Sequence, residues 1–166
     1  GFLVFLDLPK ESAAASIARL AELGIGLKVV TGDNPRVAAT VCRSIGIEVH
    51  NTLTGPELDA LDDNQLQAAV GDTTVFARVS PAQKARVVEA QRSAGSAVAF
   101  LGDGVNDALA IHHADVGISV DSATDVAKDA ADIILLERDL GVVADGVEEG
   151  RRIFANTIKY VLMGTS

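Results

Sequence analysis

Short runs dominated by Val, Ile, Leu and Phe alternate with helix-spaced segments along this 166-residue chain. The runs are Phe2–Leu6, Leu27–Val30, Thr73–Ala77, Ala97–Leu101, Asp115–Val120 and Asp132–Leu136. Each is too short for a buried helix and lacks the polar alternation of a strand with one wet face. Each therefore reads as a strand of a mostly parallel sheet covered on both sides. Between them the apolar residues step by three and four: Ala14, Ile17, Leu20 and Ala21 in the segment closed by Gly24, and Val37, Val41 and Cys42 in the segment that opens at Pro35 and closes near Gly46. Alternating strands and helices imply an α/β fold, Rossmann-like, with helices on both faces of the sheet. Residues 48–72 interrupt the pattern with an acidic surface excursion holding one or two short helices around 57–69.

Composition excludes several classes. A net charge of −9 is wrong for a nucleic-acid partner, which needs a basic face. The single cysteine, Cys42, rules out a disulfide framework and reads as a small buried filler on its helix. No stretch approaches the 18 consecutive apolar residues of a membrane span. The last segment is different in kind. Leu140, Val143, Val147, Gly150, Phe154, Ile158 and Val161 form one stripe on a helix of about 25 residues, roughly 37 Å long. A helix of that length overhangs a domain of this size, so the chain reads as a piece of something larger, divided at 138/139.

The chemistry-bearing residues follow the strands directly, where α/β sheets bind their ligands. After Ala97–Leu101 comes Gly102-Asp103-Gly104-Val105-Asn106-Asp107. Asp103 and Asp107 at one strand end repel each other by about 4 kcal/mol at an effective dielectric of 20. A hard divalent cation such as Mg²⁺ removes that repulsion; the alternative is that Asn106 or Asp107 only caps the next helix. After Leu27–Val30 comes Thr31-Gly32-Asp33-Asn34-Pro35, either an anion cradle of backbone N–H groups and the Thr31 hydroxyl or a simple N-cap turn. After Thr73–Ala77 come Arg78 and the capping box Ser80-Pro81-Ala82-Gln83. Lys84 then falls in a first helical turn, where a cation opposes the helix dipole. It either faces an anion or points into solvent. His112 and His113 end a short helix without partners at metal-ligand spacing. A hydroxyl and N–H anion site, a cation and a carboxylate pair on one sheet edge describe a Mg²⁺-assisted phosphoryl-transfer site. What such a site still needs is a nucleophile, and Asp7 is the candidate within the chain.

These residues resemble a known family. Asp7-Leu8-Pro9-Lys10, Thr31-Gly32-Asp33-Asn34, Phe76-Ala77-Arg78 with Pro81–Lys84, and Gly102–Asp107 resemble the P-type ATPases. So do Asp115–Asp121, Ala131–Glu137 and Glu149–Tyr160, the last most similar to the magnesium-transporting P-type ATPases of bacteria. The resemblance implies the second part of a phosphorylation domain with a haloacid-dehalogenase-like fold over residues 1–138, and a connecting helix over 139–166 leading towards a membrane span that begins around Val161. It further implies that Thr31 and the Gly32 N–H hold the transferred phosphoryl, that Lys84 neutralises it, and that Asp103 ligates Mg²⁺, with Asn106 and Asp107 ordering the site. Asp33 and Arg78 fall on the ATP side, and Asp7–Lys10 is the hinge from a nucleotide-binding domain.

Two departures qualify the resemblance. The family's Asp-Lys-Thr-Gly-Thr, which carries the phosphorylated Asp, is nowhere in the chain, and Leu109 stands where most members have Pro. The sheet then lacks the strand bearing the nucleophile, and the gap is closed by rearrangement or by exchange between two copies in a homodimer. The expected partners are ATP, a transported cation (Mg²⁺, with Ca²⁺ or protons as alternatives), and nucleotide-binding, actuator and membrane domains outside this chain. The competing readings are a free-standing phosphatase of the same fold using Asp7, and a non-catalytic nucleotide- or metal-binding module.

Overall fold

The computed structural model describes residues 11–137 and 139–164. The strand expected at Phe2–Leu6, and Asp7 with it, lie outside the described residues. In chain order the elements are α1 (Glu11–Glu22), β1 (Val29–Val30), α2 (Pro35–Ser44), β2 (Thr52–Thr54), α3 (Gly55–Ala60), α4 (Asp63–Val70), β3 (Val75–Ala77) and α5 (Pro81–Ser93). There follow β4 (Ala99–Leu101), a single 3₁₀ turn (Val105–Asp107), α6 (Ala108–His113), β5 (Val116–Val120), α7 (Asp125–Asp129), β6 (Ile133–Leu135) and α8 (Leu140–Gly164). Residues 27–138 form one compact unit, and α1 with α8 belong to another. Within the second, Arg19 donates to Asp145 and to Glu148, and Arg151 donates to the Leu23 carbonyl, so α1 lies along α8.

The unit of residues 27–138 is built on two three-stranded parallel sheets, ordered β1-β3-β2 and β4-β5-β6. Strand β3 sits at the centre of the first, with Val75, Phe76 and Ala77 fully buried. Its period of two sorts the core. Val75 and Ala77 pack with Ala38 and Cys42 of α2, whereas Phe76 packs with Leu58, Leu66, Val70, Val87 and Ala90. Helices therefore cover both faces, as the sequence pattern requires. In the second sheet Phe100 packs with Val88, Ala110, Ile111 and Ala127. Val30 touches both clusters, which makes the end of β1 the seam between the two sheets.

Among the described residues β1 pairs only with β3, and β4 only with β5. The described strands thus fall into two sets of three, with β1 and β4 each at an edge.

The sequence reading needs three corrections. Ala97–Leu101 is parallel but not uniformly buried: only Phe100 is, while Ala99 and Leu101 point to the opposite face at a period of two and are exposed. Strand β2 was not expected. Its Thr-Leu-Thr run carries no apolar signal and is a strand because it pairs with Val75–Ala77. By sequence Asp121–Ala130 reads as one capped helix; the helix is confined to α7, because Thr124 rather than Asp121 occupies the N-cap. Other local expectations hold. Asn34 caps α2, accepting from the Arg36 N–H at 2.9 Å, and Gly46 ends it with φ +82°. The Ser80–Gln83 capping box opens α5.

Candidate active site

The carboxyl ends of β1 and β4 open into a cavity of about 390 Å³. Its walls are Val30 of β1 with Thr31 just past it, Phe100 and Leu101 of β4 with Gly102 and Asp103 just past it, Val120 from β5, Lys84 from α5 and Asp107 from the 3₁₀ turn. Three loops well separated in sequence therefore bring a hydroxyl, a cation and two carboxylates to one place.

Lys84 does not point into solvent. It is 8% exposed, and its ammonium donates to Asp107 Oδ1 at 2.6 Å. The capping box explains why the helix tolerates it. Ser80 accepts from the Gln83 N–H and the Gln83 amide oxygen accepts from the Ser80 N–H, so α5 starts at a fixed residue and aims Lys84 inward from its first turn. The other oxygen of Asp107 accepts from the Gly104 N–H at 3.3 Å. Both carboxylate oxygens thus have protein partners, and Asp107 orients Lys84 and closes its own loop.

Gly102 makes this packing possible. A Cβ there would lie 2.5 Å from the Asp107 Cβ, so any other residue would have to displace Asp107. The Gly102 carbonyl is in turn fixed by the buried Ser119 hydroxyl at 2.9 Å. Asp103 lies at the mouth, where its backbone carbonyl accepts from the Thr124 N–H. Thr31 holds its own turn, its hydroxyl accepting from the Asp33 N–H at 3.1 Å. Backbone bonds from Arg78 N to Asp33 O and from Val79 N to Thr31 O then tie this turn to the loop after β3.

Of the residues singled out by the sequence, Thr31, Lys84, Asp103 and Asp107 line the cavity together. Gly32, Asp33, Arg78 and Asn106 are exposed and lie outside its lining. Arg78 and Asp33 are neighbours through the backbone. His113 faces Glu89 at 2.6 Å, away from the cavity. Among the described residues no three His, Cys, Asp or Glu side chains gather as a metal cage. Two hard carboxylates beside a lysine and a hydroxyl suit Mg²⁺, which keeps several waters and takes one or two carboxylates plus an oxygen of a bound phosphate.

The sequence signature of the haloacid dehalogenase-like hydrolases matches residues 1–115. The chain belongs to the haloacid dehalogenase-like hydrolases. Within that family its relatives are ion pumps. It is 52% identical over its whole length to the magnesium-transporting ATPase, P-type 1, of Salmonella typhimurium, and 46% identical to the protein of the same name from Escherichia coli. In each case the chain spans 18% of the relative's length. The crystal structure of a zinc-transporting PIB-type ATPase in its E2.Pi state superposes with a TM-score of 0.72 at 29% identity, over 92% of this chain and 21% of the other. This haloacid dehalogenase-like chain is thus homologous to one segment of the P-type ATPases, as its motifs suggest.

Sequence reasoning missed Ser119, Val120 and the role of Gly102. A serine inside the apolar run Val116–Val120 was the available signal, because a buried hydroxyl needs a partner.

Proposed function

We propose that residues 1–138 are the second part of the phosphorylation domain of an ATP-driven cation transporter, and that residues 139–166 connect it towards a membrane span. The observation that carries this reading is the meeting of Thr31, Lys84, Asp103 and Asp107 in one cavity between two sheet edges. Thr31 and the Gly32 N–H hold the phosphoryl group as it transfers. Lys84, turning from Asp107, neutralises the charge spread over the phosphoryl oxygens in a loose transition state. Asp103, with Asp107 behind it, would hold Mg²⁺, which when bound supplies Lewis-acid charge neutralisation to the phosphoryl oxygens. Asn106 orders the loop between the two carboxylates, and Asp33 with Arg78 faces the ATP side.

In this reading the acceptor is an Asp outside this chain, on a strand that fits between β1 and β4, so that an aspartyl phosphate forms against the cavity. The other partners are nucleotide-binding, actuator and membrane domains, with the phosphorylation domain on the cytoplasmic side of the plasma membrane. The cation is Mg²⁺, supported by the names of the relatives.

The experiment is hydrolysis of a small aryl phosphate by the purified chain with Mg²⁺, beside an Asp7→Asn variant. The proposal expects no turnover in either. Turnover abolished by the substitution would instead make the chain a self-sufficient phosphatase with Asp7 as nucleophile.

A further inference from the structure

Arg78 is the one described non-glycine residue in the left-handed region, at φ 53°. A long side chain adopts that backbone only where its surroundings impose it. On one side the Arg78 and Val79 N–H groups donate to the carbonyls of Asp33 and Thr31. On the other side stands Gly55, buried at the start of α3. A Cβ at Gly55 would lie 2.4 Å from the Arg78 carbonyl oxygen and 2.9 Å from Gln83 Oε1. Gly55 is not itself in the left-handed region, so space and not backbone freedom demands a glycine there. Gln83 completes the junction. Its amide nitrogen donates to the Gly55 carbonyl at 3.0 Å and to Asp59 Oδ1 at 2.7 Å, while its oxygen accepts from the Ser80 N–H.

We infer that Gly55, Asp59 and Gln83 form a positioning clamp for Lys84. The clamp presses the start of α3 against the 78–80 turn and bolts it to the first turn of α5. Lys84 is the next residue along that turn, so the clamp sets where its ammonium meets Asp107 and the cavity. None of the three clamp residues lines the cavity, so none touches a bound phosphoryl group. The inference deepens the phosphoryl-transfer reading and rests on it for the ligand. The region that carries it, residues 48–72, showed no chemistry in the sequence.

The test is Gln83→Glu in the full 166-residue chain, alone and with Asp59→Asn. The single change keeps the size and the bond to Ser80 but sets a carboxylate against Asp59. Asn at position 59 returns a donor to the pair. Two readouts are taken: the ¹H–¹⁵N signal of the buried Lys84 ammonium, and affinity for inorganic phosphate in Mg²⁺. Gln83→Glu should shift the ammonium signal and weaken phosphate about tenfold, the scale of one lost hydrogen bond to a charged group. The double variant should restore both in part, because the Asn introduced at position 59 donates to the Glu introduced at position 83 while the Gly55 carbonyl still lacks its donor.

Lower stability with an unmoved Lys84 signal and unchanged phosphate affinity would overturn the inference. So would a shifted signal that Asp59→Asn does not move back at all. If the native chain binds no phosphate, yet the Lys84 signal moves and is rescued, the clamp stands and the phosphoryl reading fails. Should Gln83→Glu not fold, Gln83→Ala deletes the clamp without a like-charge contact. It should produce the same two changes with no rescue by Asp59→Asn, and an unmoved Lys84 signal there would equally refute it.

Discussion

Replacing Lys84 by Met tests how the site is built before any ligand is added. The pair is close and buried: 2.6 Å between Lys84 Nζ and Asp107 Oδ1, with side chains 10% and 16% exposed. At an effective dielectric of 20 the gross attraction at that distance is about 6 kcal/mol, most of it offset by desolvation of the two groups. The net cost of removing one partner is set by the charge left behind, about 3–5 kcal/mol. Lys84→Met keeps the length of the side chain and leaves the Asp107 carboxylate with only the Gly104 N–H. Asp107→Asn leaves the buried ammonium without a counter-charge. Each variant should lose about 3 kcal/mol, a large share of the 5–15 kcal/mol that stabilises a domain. The double variant should lose less than either single variant rather than about 6 kcal/mol, because it leaves no charge unpaired. The assay is urea unfolding followed by far-ultraviolet circular dichroism, since the chain contains no Trp. Losses under about 1 kcal/mol, or strict additivity, would mean that the pair behaves as an exposed ion pair and that Lys84 is not held inside the cavity.

Three further outcomes are expected. Gly102→Ala should cost about 1–3 kcal/mol in urea unfolding, because the new methyl group must displace Asp107; an unchanged midpoint would show that the loop has room. The Cys42 thiol is fully buried and burial pushes its pKa up, so a thiol reagent at pH 8 should label it at least about 100-fold faster in denaturant than in the native chain. Equal rates would remove Cys42 from the core. The Glu57 carboxylate, bonded to the Thr54 hydroxyl and N–H, is held below the ordinary carboxylate value. Its stabilising contribution is therefore present above that ordinary value and is lost as pH falls through the folded one. Glu57→Gln should accordingly destabilise the chain at pH 7 and match it near pH 2, which paired unfolding curves at the two pH values would show.

The sequence was most informative where one segment settles its own structure. Thr73–Ala77 carries its burial in its composition, and Ser80–Gln83 carries its helix start in four residues. Lys84 was legible as an oddity, a cation at the wrong end of a helix dipole, and the site explains the oddity with an inward-facing ammonium. What could not be read was pairing between distant segments. The Thr-Leu-Thr run of β2 becomes a strand only beside β3, and Gly55 is required only because Arg78 passes over it. Likewise Leu101 is apolar enough for a core position, and its exposure follows from the face of β4 it occupies, opposite buried Phe100.

The central claim is that Thr31, Lys84, Asp103 and Asp107 make one Mg²⁺-assisted phosphoryl site. Calorimetric titration of the chain with inorganic phosphate, with and without Mg²⁺, tests it most directly, with Lys84→Met and Asp103→Asn alongside. The account predicts phosphate binding that strengthens with Mg²⁺, loses that dependence in Asp103→Asn and falls at least about tenfold in Lys84→Met. Phosphate binding that neither substitution alters, or that ignores Mg²⁺ in the native chain, would contradict it.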